Sequence, residues 1–357
     1  MKQKNTATIY TIAEKAHVSP ATVSRALNHP ELIHPDTLNR ILAACKELNY
    51  TKRPYHIDSK TQTTTTSQIS QMSMAALPIQ GEAHPLNDFL LVSPSPQNPF
   101  YNEIIEGAIR TATSHGCRLY VEYTALNERN INSYLNAMDR RPFAGYIFLI
   151  HLSDAVLLRL KNKCHFIQCS EYSDTFTEAS YVSIDDYQAQ RQAAEHVFQQ
   201  GIKKPAYITM PLTLHFAKRR MQGFLDALKE YHLSIPDHWI VSLPQVHFSL
   251  ALDAANRLLS EAERPDAIIC VSDLFAAACE KAALAKGLSI PKDIKIMGFD
   301  DIPVAVQASP TISTVHQPRS QLGSTAFEIL YKEAGASKAP APQHILLPTE
   351  LLLREST

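Results

Sequence analysis

The segment from Ser19 to Asn28 brings hydroxyl, amide and guanidinium groups onto one side of a predicted helix. It reads S-P-A-T-V-S-R-A-L-N. Ser19 is a good N-cap for a helix whose first position is a proline, and Val23 and Leu27, four residues apart, face inward. The opposite side then carries Pro20, Ala21, Thr22, Ser24, Arg25 and Asn28. A polar and cationic helix face suits the base edges and phosphates of duplex DNA, although an ordinary helical hairpin with a serine cap is the simpler alternative.

Each polar group on this face has an expected partner on DNA. Arg25 is predicted to read a base, because a guanidinium can donate two hydrogen bonds to one guanine in the major groove. Thr22 and Ser24 are predicted to contact phosphate. The residues predicted to contact DNA are Thr11, Ser19, Pro20, Ala21, Thr22, Ser24, Arg25, Asn28 and His34.

Two further helices position that face. Ile12, Ala13 and Ala16 follow helical spacing before a predicted turn at residues 17–19, and a third helix is predicted from about Pro35 to Leu48. The spacing predicts an all-α helix-turn-helix bundle of three helices over residues 1–51. Its predicted core consists of Ile12, Ala16, Val18, Val23, Leu27, Leu38, Leu42 and Tyr50.

Charge is distributed unevenly along the 357 residues, whose formal net charge is −1. Residues 1–60 hold nine Lys or Arg against five Asp or Glu, a net of +4, so the remaining 297 carry −5. A basic head on an acidic body is expected when only the head meets phosphate.

Composition restricts the class of protein further. Of all residues 45% are hydrophobic and 19% are charged, which is typical of a globular protein with a large core. The sequence lacks a stretch of eighteen uncharged apolar residues and a secretory signal, so we expect a cytoplasmic protein without a membrane span. The six cysteines lie far apart without a C-x-x-C pair, which favours reduced thiols over disulfides or metal ligands. We expect neither cofactor nor metal.

Residues 52–88 separate the helical head from the rest. The stretch T-Q-T-T-T-T-S-Q-I-S-Q-M-S-M is polar, uncharged and rich in Thr, Ser and Gln, which indicates a flexible linker or hinge.

Residues 89–357 alternate apolar strands with amphipathic helices. Strands are predicted at F-L-L-V-S, C-R-L-Y-V-E-Y, G-Y-I-F-L-I, H-F-I-Q-C, Y-V-S-I, P-A-Y-I-T-M, W-I-V-S, A-I-I-C-V and I-K-I-M-G-F. The intervening helices are predicted at 99–115, 127–139, 153–162, 186–200, 215–231, 249–260 and 273–286. Strands that are apolar throughout, each followed by a helix, indicate parallel sheets covered on both faces. The number of units favours two similar lobes.

Ligands bind beyond the carboxyl ends of strands in such folds, so the loops there hold the candidate binding residues. After the first strand, Tyr101 could stack on a ring, while Ser95 and Asn98 could form hydrogen bonds. Asp273 follows another strand and either caps its helix or contributes to the cleft. Glu171 and Asp185 are lesser candidates. The sequence contains no G-x-G-x-x-G, P-loop, H-E-x-x-H or G-x-S-x-G motif, which argues against an enzyme.

Six ordered motifs resemble the lac repressor/galactose repressor (LacI/GalR) family of bacterial transcription regulators. They are V-S-P-A-T-V-S-R-A-L-N at 18–28, N-P-F-Y-N-E-I-I-E-G-A at 98–108, R-R-M-Q-G-F at 219–224, I-P-K-D-I-K-I-M-G-F-D-D at 290–301, S-P-T-I-S-T-V-H-Q-P-R at 309–319 and E-L-L-L-R-E-S-T at 350–357. The resemblance covers most of the chain. It implies a periplasmic-binding-protein-like effector and dimerisation domain behind the helix-turn-helix head.

The resemblance also implies roles and boundaries. Arg220 is expected to point into the cleft as a forked donor, and Asp300 to accept hydrogen bonds from ligand hydroxyls or amines. The predicted effector-binding residues are Ser95, Tyr101, Arg220, Asp273 and Asp300. The chain is expected to cross between lobes near Val182, Ser313 and Gln343. Lobe one then comprises about 89–182 plus 313–342, and lobe two about 183–312 plus 343–357.

The linker departs from the family pattern. Where members have N-x-x-A-R-S-L, a hinge that inserts a leucine into the minor groove, this chain has R-P-Y-H-I-D-S-K at 53–60. Ile57 or Tyr55 could substitute as the apolar wedge, but we expect that they do not.

These observations together predict a cytoplasmic, homodimeric repressor that binds an operator in double-stranded DNA and is controlled by a nucleoside, purine or sugar. Three alternatives remain: a transport-type sugar-binding protein, an enzyme on the same scaffold, and a regulator controlled by a protein partner. The first would need an export signal and no basic head, and the second a nucleophile with its base or a phosphate loop.

Overall fold

The computed structural model describes residues 9–19, 22, 23, 26, 34–48, 88–338 and 340–357. The chain divides into a helical unit within residues 1–80 and an α/β unit within residues 81–357. The predicted linker over 52–88, including Tyr55 and Ile57, lies outside the described residues except for Asp88. Within the described part, no helix is long and apolar enough to cross a membrane.

The helical unit contains α1 (Ile9–Ala16) and α2 (Pro35–Glu47), and the chain between them is helical at Thr22, Val23 and Ala26. After α1, His17 has a φ of +52°, a left-handed conformation that stops the helix and turns the chain. The buried core consists of Ile12, Ala13, Ala16, Val23, Ala26, Ile41, Ala44 and Cys45, flanked by Val18, Leu38 and Leu48. The small side chains of the buried alanines allow the helices to approach closely.

One predicted core residue of the helical unit is wrong. Leu42 is 49% exposed, because the inward stripe of α2 runs through Ile41, Ala44 and Cys45 and leaves Leu42 about 100° around the helix from Ile41. The predicted core positions Leu27 and Tyr50 lie outside the described residues.

The first lobe of the α/β unit is built on a parallel sheet of six strands in the order β11-β5-β4-β3-β1-β2. Its strands are β1 (Asp88–Ser93), β2 (Arg118–Tyr123), β3 (Gly145–Phe148), β4 (Phe166–Cys169), β5 (Ser180–Ile184) and β11 (His344–Leu347). Its helices are α3 (Phe100–Ser114), α4 (Ile131–Arg140), α5 (Asp154–Lys161) and α11 (Arg319–Gly335). Helix α4 begins four residues later than predicted, because the side chains of Asn127 and Asn130 accept hydrogen bonds from backbone N–H groups and form a turn there.

The second lobe is built on a parallel sheet of four strands in the order β7-β6-β8-β9. Its strands are β6 (Pro205–Thr209), β7 (Ile240–Ser242), β8 (Ala267–Cys270) and β9 (Lys295–Met297). Its helices are α6 (Asp186–Gln199), α7 (His215–Glu230), α8 (Phe248–Leu258), α9 (Asp273–Ala285) and the short α10 (Val304–Gln307). The prediction of parallel sheets with helices on their faces is confirmed.

Within residues 88–338 and 340–357, three segments join the lobes: residue 185 between β5 and α6, then β10 (Thr314–His316) and β12 (Glu350–Leu352), which pair antiparallel. The third crossing lies later than the predicted position at Gln343. Strand β11 still belongs to the first sheet, because it pairs in parallel with β5 and satisfies the edge of that strand. Only after Leu347 does the chain pass to the second lobe, where Ser356 bonds to Ile296.

All six cysteines lie in the described ranges, and none forms a disulfide. Cys164 is partly buried and the other five are buried. Burial raises the pKa of the Cys164 thiol to about 12, which keeps it protonated and unreactive at neutral pH.

Candidate functional site

A cavity of about 390 Å³ opens where the carboxyl ends of strands from both lobes face each other. The first lobe supplies residues 94, 95, 97, 98, 100 and 101 after β1, 149–151 after β3 and 170–171 after β4. The second lobe supplies Met210 after β6, 244–247 after β7, 271–272 after β8 and Asp300 after β9. Such strand ends are where open α/β sheets bind ligands, and the volume lies in the range of small-molecule sites.

Arg220 forms the charged centre of the cavity wall. It projects from α7, is 4% exposed and donates Nε to Asp186 Oδ1 at 2.7 Å and Nη1 to the carbonyl of Val271 at 2.7 Å. Its guanidinium carbon lies 3.5 Å from the ring centroid of Phe299, so the planar group is stacked and held rigidly. Burial lowers the pKa of Arg220, but nearby carboxylates outweigh that effect and the net direction is upward. The side chain is therefore a fixed cation.

Asp300 faces Arg220 across the wall. Its Oδ1 lies 3.4 Å from Arg220 Nη1 and accepts a 2.7 Å hydrogen bond from Gln317 Nε2. Burial raises the pKa of Asp300 to about 6, although Arg220, Arg319 and Gln317 oppose the shift. The residue is thus an acceptor whose protonation changes near neutral pH. Arg220 and Asp300 thus line the same cavity.

Glu171 links the two lobes at the edge of the cavity. It follows β4 in the first lobe, and its carboxylate accepts hydrogen bonds from the backbone N–H groups of His215 at 2.6 Å and Phe216 at 3.3 Å, at the start of α7. A carboxylate at a helix N-terminus is stabilised by the helix dipole and the unpaired N–H groups. His151 Nδ1 lies 3.2 Å from Glu171 Oε1, and this hydrogen bond raises the pKa of His151.

The loop after β1 carries the other predicted ligand contacts, and Ser95, Asn98 and Tyr101 all line the cavity. Ser95 Oγ accepts from the N–H of Gln97 at 3.1 Å, and Asn98 Oδ1 accepts from that of Phe100 at 3.1 Å. These bonds order the loop before α3. Burial raises the pKa of Tyr101, so its hydroxyl stays protonated and can donate a hydrogen bond.

Asp273 does not line the cavity, which corrects its predicted place among the effector-binding residues. Its buried carboxylate accepts from Thr314 Oγ1 at 2.5 Å and from the N–H of Ile302 at 2.8 Å, so it braces the loop beneath the wall. It is not the helix cap either, since Ser272 accepts from the N–H of Phe275. Asp185, another candidate, caps α6 through the N–H of Gln188.

Several lining residues escaped the sequence analysis. His151, Gln245 and His247 line the cavity, as do the apolar side chains of Met210 and Phe216. Most follow the ends of predicted strands, so applying the strand-end rule to every loop would have found them. Gln317 gave no such signal, because it reaches Asp300 from a crossing segment. Among the described residues, no group of three or more His, Cys, Asp or Glu could hold a metal ion.

The helical unit offers a second candidate site. Ser19 is exposed, and its Oγ accepts from the N–H of Thr22 at 3.1 Å and lies 2.8 Å from Thr22 Oγ1. The predicted cap is therefore present, and it orients the hydroxyl of Thr22. Thr11 is partly buried and His34 is exposed. The other predicted DNA contacts, Pro20, Ala21, Ser24, Arg25 and Asn28, lie outside the described residues.

Two family models match the chain: bacterial regulatory proteins of the lacI family at residues 8–52, and the periplasmic binding protein-like domain at residues 194–357. The chain is 27% identical to the HTH-type transcriptional repressor CytR of Escherichia coli (strain K12), over 100% of this chain and 98% of that protein. It is 28% identical to the HTH-type transcriptional repressor PurR of Klebsiella pneumoniae (strain 342), over 98% of this chain and 96% of that protein.

A solved structure of the transcriptional regulator CelR in complex with cellobiose is 23% identical and covers 98% of this chain and 100% of that one, with a TM-score of 0.69. At that level of identity the likeness concerns the fold alone.

Proposed function

Because the chain belongs to the lacI family of bacterial regulatory proteins, we propose that it is a DNA-binding transcriptional repressor whose operator affinity is controlled by a small molecule. The observation that carries this proposal is the cavity between the lobes, where Arg220 and Asp300 are held facing each other, on a chain that begins with a helix-turn-helix unit. A ligand can change operator affinity only if it binds the DNA-competent and incompetent states unequally, and a cavity shared by two lobes allows that difference.

At the DNA, we propose a homodimer that places one recognition helix in each of two major grooves. Arg25 is the base-reading residue, and Thr22 and Ser24 contact phosphate. This function places the protein in the cytoplasm, in the compartment of its operator.

The charges of the cavity wall favour an uncharged effector. Among the lining residues that the structure describes, Arg220 is the only permanent cation, and its Nε and Nη1 already bond within the protein. This single cation is outnumbered by three carboxylates, those of Glu171 and Asp300 in the wall and that of Asp186 behind the wall. A phosphorylated ligand would meet these carboxylates in a poorly solvated space, at a high electrostatic cost.

Hydroxyls and ring N–H groups suit the same wall, because the Asp300 carboxylate can accept hydrogen bonds and the Arg220 guanidinium can donate them. Apolar side chains such as Phe216 and Met210 can pack against a ring. We therefore propose a nucleoside, purine or sugar without a phosphate.

A regulator controlled by a protein partner is the main competing function. It predicts that the cavity takes up no metabolite, whereas the effector proposal predicts saturable uptake. A transport-type binding protein would take up a ligand but would show no affinity for DNA.

The effector is tested by thermal shift with matched pairs of ligands: cytidine against cytidine 5′-monophosphate, and D-ribose against D-ribose 5-phosphate, with adenosine, hypoxanthine and cellobiose added. A melting temperature that rises with the concentration of an uncharged member identifies the effector by mass action. A rise with only the phosphorylated members would contradict the charge argument.

DNA binding is tested with Arg25→Ala. The unmodified protein should bind a duplex from its own promoter region with an affinity that falls as salt increases, because phosphate contacts release counterions. The variant should lose this binding and keep the ligand-induced thermal shift. Loss of both in the variant would show that head and body are not separable, and no duplex affinity in the unmodified protein would refute the function.

A further inference from the structure

Behind the cavity, side chains from two crossing segments meet on one carboxylate. Arg354 donates Nη2 to Asp301 Oδ1 at 2.6 Å, and His316 Nδ1 lies 2.9 Å from Asp301 Oδ2. We name Asp301, His316 and Arg354 the crossing clamp. His316 ends β10, and Arg354 follows β12, so the clamp joins two of the three segments that connect the lobes.

We propose that the crossing clamp positions Asp300 in the cavity and so couples the crossing strands to effector binding. The inference rests on the proposed function of that cavity. The three residues of the crossing clamp are positioning residues, since none of them lines the cavity itself.

The backbone that the clamp holds is unfavourable on its own. Asp300 has a φ of +104° and Asp301 a φ of +54°, a region that residues other than glycine seldom adopt. Two such residues in succession persist only where the surroundings over-determine their conformation. The direction of the Asp300 side chain therefore depends on what restrains this turn.

Two restraints on this turn come from the crossing strand β10, and a third comes from the first lobe. The N–H of Asp300 donates to the carbonyl of Val315 at 2.9 Å, and the N–H of Asp301 lies 3.3 Å from Thr314 Oγ1. Arg319, which begins α11 in the first lobe, donates Nη2 to the carbonyl of Asp301 at 2.8 Å. These hydrogen bonds connect the turn at residues 300–301 to β10 and to α11.

Arg354 completes the connection between the two crossing strands. Besides Asp301, it reaches the carbonyl of Ile312 with Nη1 at 2.9 Å, and its N–H donates to Ser313 Oγ at 2.8 Å. One side chain thus fixes both the approach to β10 and the turn at 300–301. The ion pair is largely shielded from solvent, with side-chain exposures of 18% for Arg354 and 17% for Asp301, so it is stronger than a surface pair.

A rotation of the lobes has to move the crossing strands, and the clamp then moves Asp301 with them. Because Asp300 is the neighbouring residue, its carboxylate changes position relative to Arg220 on α7. An effector that bonds to both groups consequently favours one arrangement of the crossing strands.

The test uses Asp301→Asn and Arg354→Gln in the full-length protein. Asparagine keeps the size of the side chain and tolerates a left-handed backbone; it removes the charge and replaces one of the two acceptor oxygens by an amide donor. Lys204→Gln is the matched control, because it breaks an exposed ion pair with Glu263 in the second lobe, outside the cavity and the clamp. The probes are cytidine, adenosine and D-ribose, and the one that most raises the melting temperature of the unmodified protein is titrated by calorimetry.

We expect both clamp variants to bind that probe about tenfold more weakly, the cost of a lost charged hydrogen bond. Both should bind promoter duplex without the probe as the unmodified protein does, and Arg354→Lys should restore part of the probe affinity. A general structural defect would weaken duplex and probe together and would not respond to the conservative variant. Unchanged probe affinity in both variants would overturn the proposal.

If the unmodified protein takes up none of the probes and none of the other ligands of the thermal-shift series, the proposed effector function has failed, and hydrogen exchange then decides on the clamp. The amides of residues 300–302 should exchange about tenfold faster in Arg354→Gln than in Lys204→Gln, because the turn loses its restraint. Equal rates in the two variants would refute the clamp.

Discussion

Acidification should weaken effector binding through Asp300. Its pKa is raised to about 6, with burial as the main cause, so the group that accepts ligand hydrogen bonds becomes protonated just below neutral pH. With a pKa near 6, roughly one molecule in ten remains ionised at about pH 5, against almost all at about pH 7.5. A ligand that requires the ionised form should therefore bind about tenfold more weakly at the lower pH, a loss of ~1.4 kcal/mol.

Protonation of Asp300 affects the stability of the fold in the opposite direction to ligand affinity. The pKa of Asp300 in the folded protein lies above the ordinary value of 3.8, so its protonation favours the folded state. The stability that it contributes is fully present below about pH 4 and is lost as the pH rises through about 6. Acidification from neutral pH thus stabilises the fold at this residue while it removes the acceptor.

The assay is a calorimetric titration of the uncharged effector between pH 5 and 7.5, with Asp300→Asn as the comparison. The amide of the variant does not titrate, so its affinity should be lower at every pH and its pH dependence much flatter. Protonation of His151, whose pKa is raised by Glu171, would contribute the same pH dependence of ligand affinity in both proteins. Equal slopes in the variant and the unmodified protein, or a flat profile in the latter, would refute the role of Asp300.

Two further predictions concern stability, measured by urea unfolding. Burial raises the pKa of Glu280 to about 8, so the stability that this residue contributes is present below about pH 4.5 and is lost as the pH rises through 8. Glu280→Gln should therefore be more stable than the unmodified protein by up to ~3 kcal/mol at pH 7, but not at pH 4.5. The control, Glu263→Gln at an exposed position, should match the stability of the unmodified protein at both pH values. Gly323→Ala should destabilise the protein by ~1–3 kcal/mol, since the new Cβ would lie 1.9 Å from the carbonyl oxygen of Ile104 on α3. Gly335→Ala on the same helix places its Cβ in open space and should leave the stability unchanged. Equal losses of stability in the two variants would contradict the packing argument.

Much of the fold followed from periodicity. Helices such as α7 and α9 begin at the predicted residue and end one residue earlier, because apolar spacing and end residues are local signals. Leu42 was misplaced because both Ile41 and Leu42 fit a helical stripe, and only the neighbouring helices decide which of them is covered.

The candidate site was predictable in part. Ser95, Tyr101, Arg220 and Asp300 line one cavity, as a strand-end position or the family motif indicated. Asp273 had the same kind of signal but lies beneath the wall, since a carboxylate after a strand can point either into a cleft or into the loops that support it.

The sequence by itself determined the helix-turn-helix head and the alternation of strands and helices, and its resemblance to a known family indicated a cation on a helix and an acceptor at a strand end. Only the tertiary structure decided that Glu171 caps α7 in the opposite lobe, that Gln317 orients Asp300, and that β11 completes the first sheet. The physical reason is distance along the chain: periodicity reports which side of an element is covered, whereas these contacts join segments that meet only after both sheets have formed and the chain has crossed between them.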